Sequence, residues 1–252
     1  MKKLLITLIM LTTSTLFALA DASTSQRISL EPLGSNHMQA GNINYTFQLV
    51  DNTSKKTLSD TDLIESHTKK LHFITYDVAL KEFRHVHPTF NDGNWSVALD
   101  LPVDGNYFFW AQGMLVDKQE FSVLTQGMVM GGKPQNPIQP IGDVRTGIDR
   151  NTKIVLEKTK IKSGKMAMLG FTISRTDGKA PVLSPYLGAF AHVIATPTDG
   201  NELTHVHPAA GNKPNTGMLH STFPTEGSYR LWVQLIDGGE LKTIPLSVIV
   251  TK

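Results

Sequence analysis

The residues LHFITYDVALKEFRHVHP at positions 71–88 return as AHVIATPTDGNELTHVHP at positions 191–208. Both copies follow the spacing His-x12-His-x-His-Pro. A second matched block follows each copy, with LPVDGNYFFWAQ at 101–112 and FPTEGSYRLWVQ at 223–234. Agreement of this kind in spacing and identity predicts an internal repeat, and therefore two homologous domains of ordinary size.

The chain outside these blocks predicts the boundaries of the domains. Residues 1–20 carry two lysines, a long apolar run and small residues at the end, which is the layout of a cleavable signal peptide. We expect a first domain over 21–125, a linker rich in Gly and Pro over 126–150, and a second domain over 151–252. No other window offers the apolar length of a membrane span. We therefore expect a periplasmic or secreted protein without a membrane span.

The composition indicates a folded, β-rich chain. Of 252 residues, 40% are hydrophobic and 18% are charged, too apolar a balance for a disordered protein. The 24 basic and 22 acidic residues form no basic run, which argues against nucleic acid as a partner. With no cysteine, the chain forms no disulfide and offers no thiolate metal ligand.

Short alternating runs, such as INYTFQL at 43–49 and LGFTI at 169–173, have the period of β-strands. The Pro-x-x-Gly-x-Tyr blocks ending at Tyr107 and Tyr229 are typical of the tyrosine corner of immunoglobulin-like sandwiches. Phe109 and Leu231 stand where an antibody domain carries its second cysteine. We predict an all-β protein made of two tandem immunoglobulin-like antiparallel β-sandwiches.

The second copy of the histidine segment contains a hairpin signal at Asp199-Gly200. A turn there places His192 opposite His207 and Ile194 opposite His205. The equal spacing places His72 opposite His87 in the first copy, with His85 diagonal to it. Directly opposed residues have Cβ atoms about 4.5 to 5.5 Å apart, so three imidazoles are expected to converge in each domain.

Converging imidazoles suit zinc or copper, which bind neutral ring nitrogens at about 2.0 to 2.1 Å. We therefore predict copper or zinc sites with the ligands His72, His85 and His87 in the first domain and His192, His205 and His207 in the second. The alternative is that these histidines only donate hydrogen bonds to loop carbonyls, with Pro88 and Pro208 ending the strands. The protein is then an interaction module whose partner is another protein of the cell envelope.

Two Met-x-Met pairs, Met128 with Met130 in the expected linker and Met166 with Met168 at the start of a strand, offer soft thioether ligands for Cu(I). Core packing is the commoner role of such side chains. A zinc hydrolase is a third hypothesis. The sequence contains no nucleophile-elbow, His-Glu-x-x-His or phosphate-loop motif to support it, so we do not expect an enzyme.

On these residues each unit resembles the small secreted immunoglobulin-like domains grouped as YtkA-like, which are related to the FixH-like domains. The resemblance rests on the strand at 41–49, the histidine segment and the Leu101-to-Tyr107 block, with their counterparts in the second unit, and it covers most of the mature chain. It implies export to the bacterial envelope and a β-sandwich fold, with no established enzymatic activity. FixH-like members carry a membrane helix, which this chain lacks beyond its signal peptide.

Overall fold

The computed structural model describes residues 26–66, 68–206 and 208–252. The predicted signal peptide and His207 lie outside the described residues. The N-terminal half contains one short 3-10 helix at Asp60–Asp62 and the strands β1 Ile28–Pro32, β2 His37–Gln39, β3 Gly41–Asp51, β4 Lys56–Thr57, β5 Leu63–Ile64, β6 Leu71–Asp77, β7 Phe83–Val86, β8 Thr89–Asn91, β9 Asn94–Leu101, β10 Gly105–Leu115 and β11 Glu120–Met130.

The C-terminal half contains the strands β12 Thr146–Asp149, β13 Thr152–Leu156, β14 Ile161–Lys162, β15 Met166–Arg175, β16 Leu183–Ser184, β17 His192–Pro197, β18 Thr204–Val206, β19 Ala209–Ala210, β20 Thr216–Thr222, β21 Gly227–Asp237 and β22 Glu240–Thr251. The all-β prediction is confirmed. Among the described residues, no helix has the length and apolar character needed to cross a membrane.

Each half is built from two sheets. In the N-terminal half, sheet I has the order β1-β3-β9-β8 and sheet II has the order β2-β11-β10-β6-β7. In the C-terminal half, sheet III has the order β12-β13-β15-β20-β19 and sheet IV has the order β14-β22-β21-β17-β18. Sheets II and IV match strand for strand, including the parallel edge pairs β2 with β11 and β14 with β22. This match agrees with the internal repeat read from the sequence.

A separate apolar core fills each half. In the first, Phe47 and Trp95 of sheet I belong to one buried cluster with Phe73 and Phe109 of sheet II. In the second, side chains of sheets III and IV form an equivalent cluster that includes Phe171, Leu231 and Leu246. Phe109 and Leu231 are both fully buried, so apolar packing occupies the place expected for a cysteine.

The tyrosine corners are present in both halves. The Tyr107 hydroxyl donates to the carbonyl oxygen of Val103 at 3.1 Å, and the Tyr229 hydroxyl donates to that of Thr225 at 3.2 Å. Each hydroxyl thus bonds to the residue four positions upstream, as predicted. Each corner ties the start of a central strand to the turn that precedes it.

The central strands β6 and β17 are buried on both faces, because every residue in either strand is buried. One face packs on the core of its own half. The other face of each lies at the interface between the halves, where sheets II and IV meet. There a third apolar cluster collects the buried side chains Ile74, Tyr76, Leu80, Phe83, Phe108, Trp110, Ile194 and Trp232.

The segment between the halves is shorter than the expected linker. Strand β11 runs to Met130 and β12 begins at Thr146, so the connection spans 131–145 rather than 126–150. Met128 and Met130 are therefore strand residues and not linker residues. The glycines and prolines of the linker prediction fall mainly within 131–145, whereas the strand continues before them through an apolar-polar alternation.

Candidate metal centre

The two histidine hairpins have the predicted register. Ile194 lies opposite His205 in β17 and β18, and Ile74 lies opposite His85 in β6 and β7. The turns are wider than the predicted two-residue loop, since the last strand pairs before them are Ala195 with Thr204 and Tyr76 with Phe83. The register predicted from the turn at Asp199-Gly200 is therefore confirmed, although the turn itself is longer than expected.

The turns of the two hairpins also correspond. The Gly200 amide donates to the carbonyl oxygen of Pro197, and the Leu80 amide donates to that of Asp77. Gly200 has a φ of 73° and Leu80 has a φ of 55°. The first copy thus places a leucine in the left-handed conformation that the second copy gives to glycine. For this reason the first turn carried no recognisable signal in the sequence.

The first histidine pair is formed by His72 and His85. His72 Nδ1 lies 3.1 Å from His85 Nε2. The outer nitrogens face carbonyl oxygens, since His72 Nε2 donates to the Ser66 carbonyl at 3.0 Å and His85 Nδ1 donates to Gln234 Oε1 at 2.8 Å. A carbonyl oxygen only accepts, so in each neutral ring the outer nitrogen carries the hydrogen. The two inner nitrogens therefore present lone pairs toward each other.

The second pair repeats this arrangement. His192 Nδ1 lies 3.0 Å from His205 Nε2, and His192 Nε2 donates to the Tyr186 carbonyl at 3.0 Å. Ser66 and Tyr186 each stand six residues before the histidine that they orient. The repeat thus preserves both the histidine pair and the carbonyl group that fixes the tautomer of the first histidine in each pair.

The two pairs lie side by side at the interface between the halves. The ring centroid of His205 is 5.1 Å from that of His72 and 5.2 Å from that of His85, and the His85 and His192 centroids are 5.9 Å apart. One ring nitrogen each of His72, His85 and His205 all lie within 4.8 Å of one another. We call His72, His85, His87, His192 and His205 the histidine cluster.

His87 completes the cluster from the N-terminal half. Its ring centroid lies 5.0 Å from that of His72 and 5.2 Å from that of His85. Its Nε2 is buried and has no hydrogen-bond partner among the described residues. Burial, together with the neighbouring His72, lowers the pKa of His87 to about 4. Burial also lowers the pKa of His85 well below its ordinary value, helped by His72. These two rings are therefore neutral at pH 7.

A cavity of about 410 Å³ reaches the cluster from one side. Its lining includes His72 and Gln112 of the N-terminal half and Thr204 and His205 of the other, together with the acidic Glu120. The Gln112 side-chain oxygen is buried and makes no hydrogen bond within the described part of the chain. The cavity gives a small solute a path to both halves of the cluster at once.

The sequence predicted the histidines but not how they combine. It placed three in each domain, giving two separate sites, whereas the structure brings five of the six into one cluster. His207, the remaining predicted ligand, lies outside the described residues. The hydrogen bond that Gln234 accepts from the His85 ring was also missed, although Gln112 and Gln234 recur at matching positions of the repeat.

The methionines also differ from expectation. Met166 and Met168 open strand β15 as predicted, but 67% and 57% of their surfaces are exposed, so they do not pack in the core.

Trp110 and Trp232 are packing residues, and they pack at the interface between the halves.

One family model matches the C-terminal half. Residues 146–252 match a domain of unknown function, DUF8832. No curated protein matches this sequence. The resemblance to YtkA-like domains stays a prediction.

Several solved structures are similar to this chain at low sequence identity. The chain is 14% identical to a tetra-tandem repeat in the extending region of a large adhesion protein, with a TM-score of 0.30, over 88% of this chain and 48% of that one. It thus spans about half the length of that structure. It is 12% identical to the fibronectin(III)-like modules of Clostridium thermocellum CbhA, with a TM-score of 0.25, over 89% of this chain and 94% of that one. It is 11% identical to domains 4 and 5 of the S-layer protein SbsC, with a TM-score of 0.25, over 88% of this chain and 98% of that one. Similarity at this level carries no argument about function.

Proposed function

We propose that this protein binds a Zn(II) or Cu(II) ion at the histidine cluster, with ligands from both halves. The observation that carries the proposal is the pair of imidazole nitrogens without hydrogens that face each other in the first hairpin, 3.1 Å apart, beside a second pair of facing ring nitrogens 3.0 Å apart. Two such lone pairs repel each other. A cation that both nitrogens ligate turns the repulsion into attraction.

The spacing of the nitrogens fits this role. Ligand nitrogens at about 2.0 to 2.1 Å from a tetrahedral ion are separated by about 3.3 Å. A shared proton is the other way to relieve the repulsion. The lowered pKa of His85 argues against it, because burial beside other histidines disfavours an imidazolium.

The surroundings of the cluster have the features of a metal site. Metal-ligating histidines commonly donate their second ring nitrogen to a carbonyl group, which fixes the tautomer and the orientation of the ring. Ser66, Tyr186 and Gln234 supply such groups. All ligands offered are imidazoles, a set that suits zinc and copper better than calcium or iron-sulfur centres.

We further infer that the chain is exported and that its halves are two immunoglobulin-like β-sandwich domains. The signal-peptide pattern at 1–20 supports export, and the paired sheets, separate cores and tyrosine corners of the two halves support the domain assignment. Zinc and copper are then the cargo or cofactor of a protein outside the cytoplasm. The DUF8832 match covers one of these halves.

The test is a titration of the metal-free mature protein with Zn(II) and with Cu(II), followed by calorimetry. We expect one tight site per chain. His72→Gln and His205→Gln should each abolish it although they lie in different halves, while the exposed His37, replaced by Gln, serves as the matched control. Gln234→Ala should weaken binding by about 10 to 100-fold, the usual effect of losing the group that orients a ligand histidine.

Melting in the presence of metal gives a second measurement. An ion that binds the native state adds about 2.7 kcal/mol of stability at a concentration of 100 times its Kd. A variant with His72, His85, His87, His192, His205 and His207 all replaced should show no such gain. If that variant binds metal as tightly as the wild type, the proposal is wrong and the histidines only join the halves. The function is then that of a protein-interaction module of the cell envelope.

A further inference from the structure

The outer face of sheet III carries a second group of metal-binding side chains, remote in the sequence from the histidine hairpins. Strands β15 and β20 are antiparallel neighbours, and Met168 lies directly opposite His220. Met166 lies opposite Thr222, and Met218 lies opposite Gly170. Side chains two residues apart on a strand share a face, so Met166, Met168, Met218 and His220 occupy the same face.

Burial identifies this face as the outer one. Ala167, Leu169 and Leu219, which alternate with these residues, belong to the core of the C-terminal half. Met166 and Met168 are 67% and 57% exposed, and His220 is exposed as well. Two neighbouring methionines thus keep their thioethers in solvent, in positions where a strand usually carries polar residues.

The register places Met166, Met168 and His220 within reach of one ion. Directly opposed residues have Cβ atoms about 4.5 to 5.5 Å apart, and diagonal neighbours about 7 to 8 Å. Met168 and His220 are directly opposed, while Met166 is diagonal to His220 and Met218 is diagonal to Met168. The three rotatable side-chain bonds of methionine span these separations.

A carboxylate lies over the same patch. A Cβ atom placed on Gly170 would lie 2.5 Å from the side-chain carboxyl carbon of Glu157, so this side chain crosses the sheet at the position opposite Met218. The absence of a side chain at Gly170 makes room for it. The patch therefore combines three thioethers, one imidazole and one nearby negative charge.

We propose that Met166, Met168 and His220 form a binding site for Cu(I), with Glu157 adding a favourable charge nearby. Met218 lies opposite Gly170, four residues along the strand from Met166, and at about 3.4 Å per residue it is too far from Met166 to share one ion with it. Thioether sulfur is a soft ligand that selects Cu(I) and contributes little to Zn(II) binding. The site is separate from the histidine cluster, and it does not depend on the function proposed above.

The test is a titration of the mature protein with Cu(I) in competition with bicinchoninate, under reducing and oxygen-free conditions. We expect Met166→Leu combined with Met168→Leu to weaken Cu(I) binding strongly. The loss should exceed the factor of about 10 to 100 that follows when a contact supporting a metal ligand is removed. His220→Gln should weaken it as well. Leucine keeps a similar volume, and Met114→Leu is the matched control, because Met114 pairs with Ile64 and Glu120 and with no histidine.

A site-resolved measurement separates this proposal from the histidine cluster. Adding Ag(I), a soft monovalent probe without redox chemistry, should shift the NMR signals of the Met166 and Met168 methyl groups and leave Met114 unchanged. If these signals stay in place, or if the double variant binds Cu(I) like the wild type, the outer-face site does not exist. Binding that shifts only the histidine cluster overturns this proposal and leaves the first one standing.

Discussion

The Tyr76 hydroxyl links the two halves, and its removal by Tyr76→Phe should destabilise the whole protein. It accepts a hydrogen bond from Trp110 Nε1 at 2.8 Å. It also donates across the interface to the carbonyl oxygen of Gly200 at 3.0 Å, and Thr196 Oγ1 lies 3.1 Å from it. Burial raises the pKa of the Tyr76 phenol far above its ordinary value, so the hydroxyl keeps its proton.

The expected loss follows from the groups left behind. Without the hydroxyl, the buried Trp110 N–H and the Gly200 carbonyl each lose a partner, at about 1 to 3 kcal/mol for each buried polar group. Thr196 Oγ1 keeps a hydrogen bond to the carbonyl of Pro197, so it adds little. Allowing for local relaxation, we expect a loss of about 2 to 4 kcal/mol in the free energy of unfolding.

Urea unfolding of the protein measures this change. Tyr45→Phe is the matched control, because the Tyr45 ring is buried in the first core and its hydroxyl makes no hydrogen bond to any residue that the structure describes. It should cost less than about 1 kcal/mol. Equal losses in the two variants would show that Tyr76 contributes only its ring, and would refute the interfacial hydrogen bonds.

Three further expectations concern other parts of the fold. Tyr107→Phe and Tyr229→Phe should each cost about 1 to 3 kcal/mol in denaturant unfolding, because a corner carbonyl loses its donor, and unchanged midpoints would contradict the corners. Gly200→Ala should lower the melting temperature more than Gly164→Ala does. Both glycines have positive φ, but a Cβ at Gly200 would lie 2.6 Å from the Phe108 ring, whereas the space around Gly164 is open. Equal losses in melting temperature would argue against this contact between the halves. Partial burial favours the neutral acid of Asp62, but hydrogen bonds from neighbouring lysine and serine groups outweigh it and lower its pKa to about 2. The stability that this carboxylate adds should be complete above about pH 4 and should be lost as the pH falls toward 2. The difference in unfolding free energy between wild type and Asp62→Asn should therefore shrink over that range. A constant difference would rule out the lowered pKa.

The sequence was sufficient for the parts of the structure set by local pattern. Alternation and repeat spacing predicted the strands and the corners at Tyr107 and Tyr229, and the turn signal at Asp199-Gly200 predicted the register of Ile194 with His205. Each of these depends on residues close in the sequence or related by the repeat. The all-β class followed from the same signals.

The interface between the halves was beyond such reasoning. A strand face that reads His72, Ile74 and Tyr76 is equally compatible with a solvent-exposed patch and with a buried contact. The structure shows that a second sheet covers it, since Trp232 stacks on Phe83 with 4.4 Å between the ring centroids. For the same reason, two separate histidine sites were expected where one cluster exists.

The short connection at 131–145 gives the interface a property that separate chains lack. A tether of this length keeps the two sheets at an effective concentration on the order of millimolar. The histidines of the two halves therefore meet again after every opening of the interface, however dilute the protein is. A metal site divided between two free subunits loses half of its ligands on dilution, whereas this cluster keeps its composition in a single molecule.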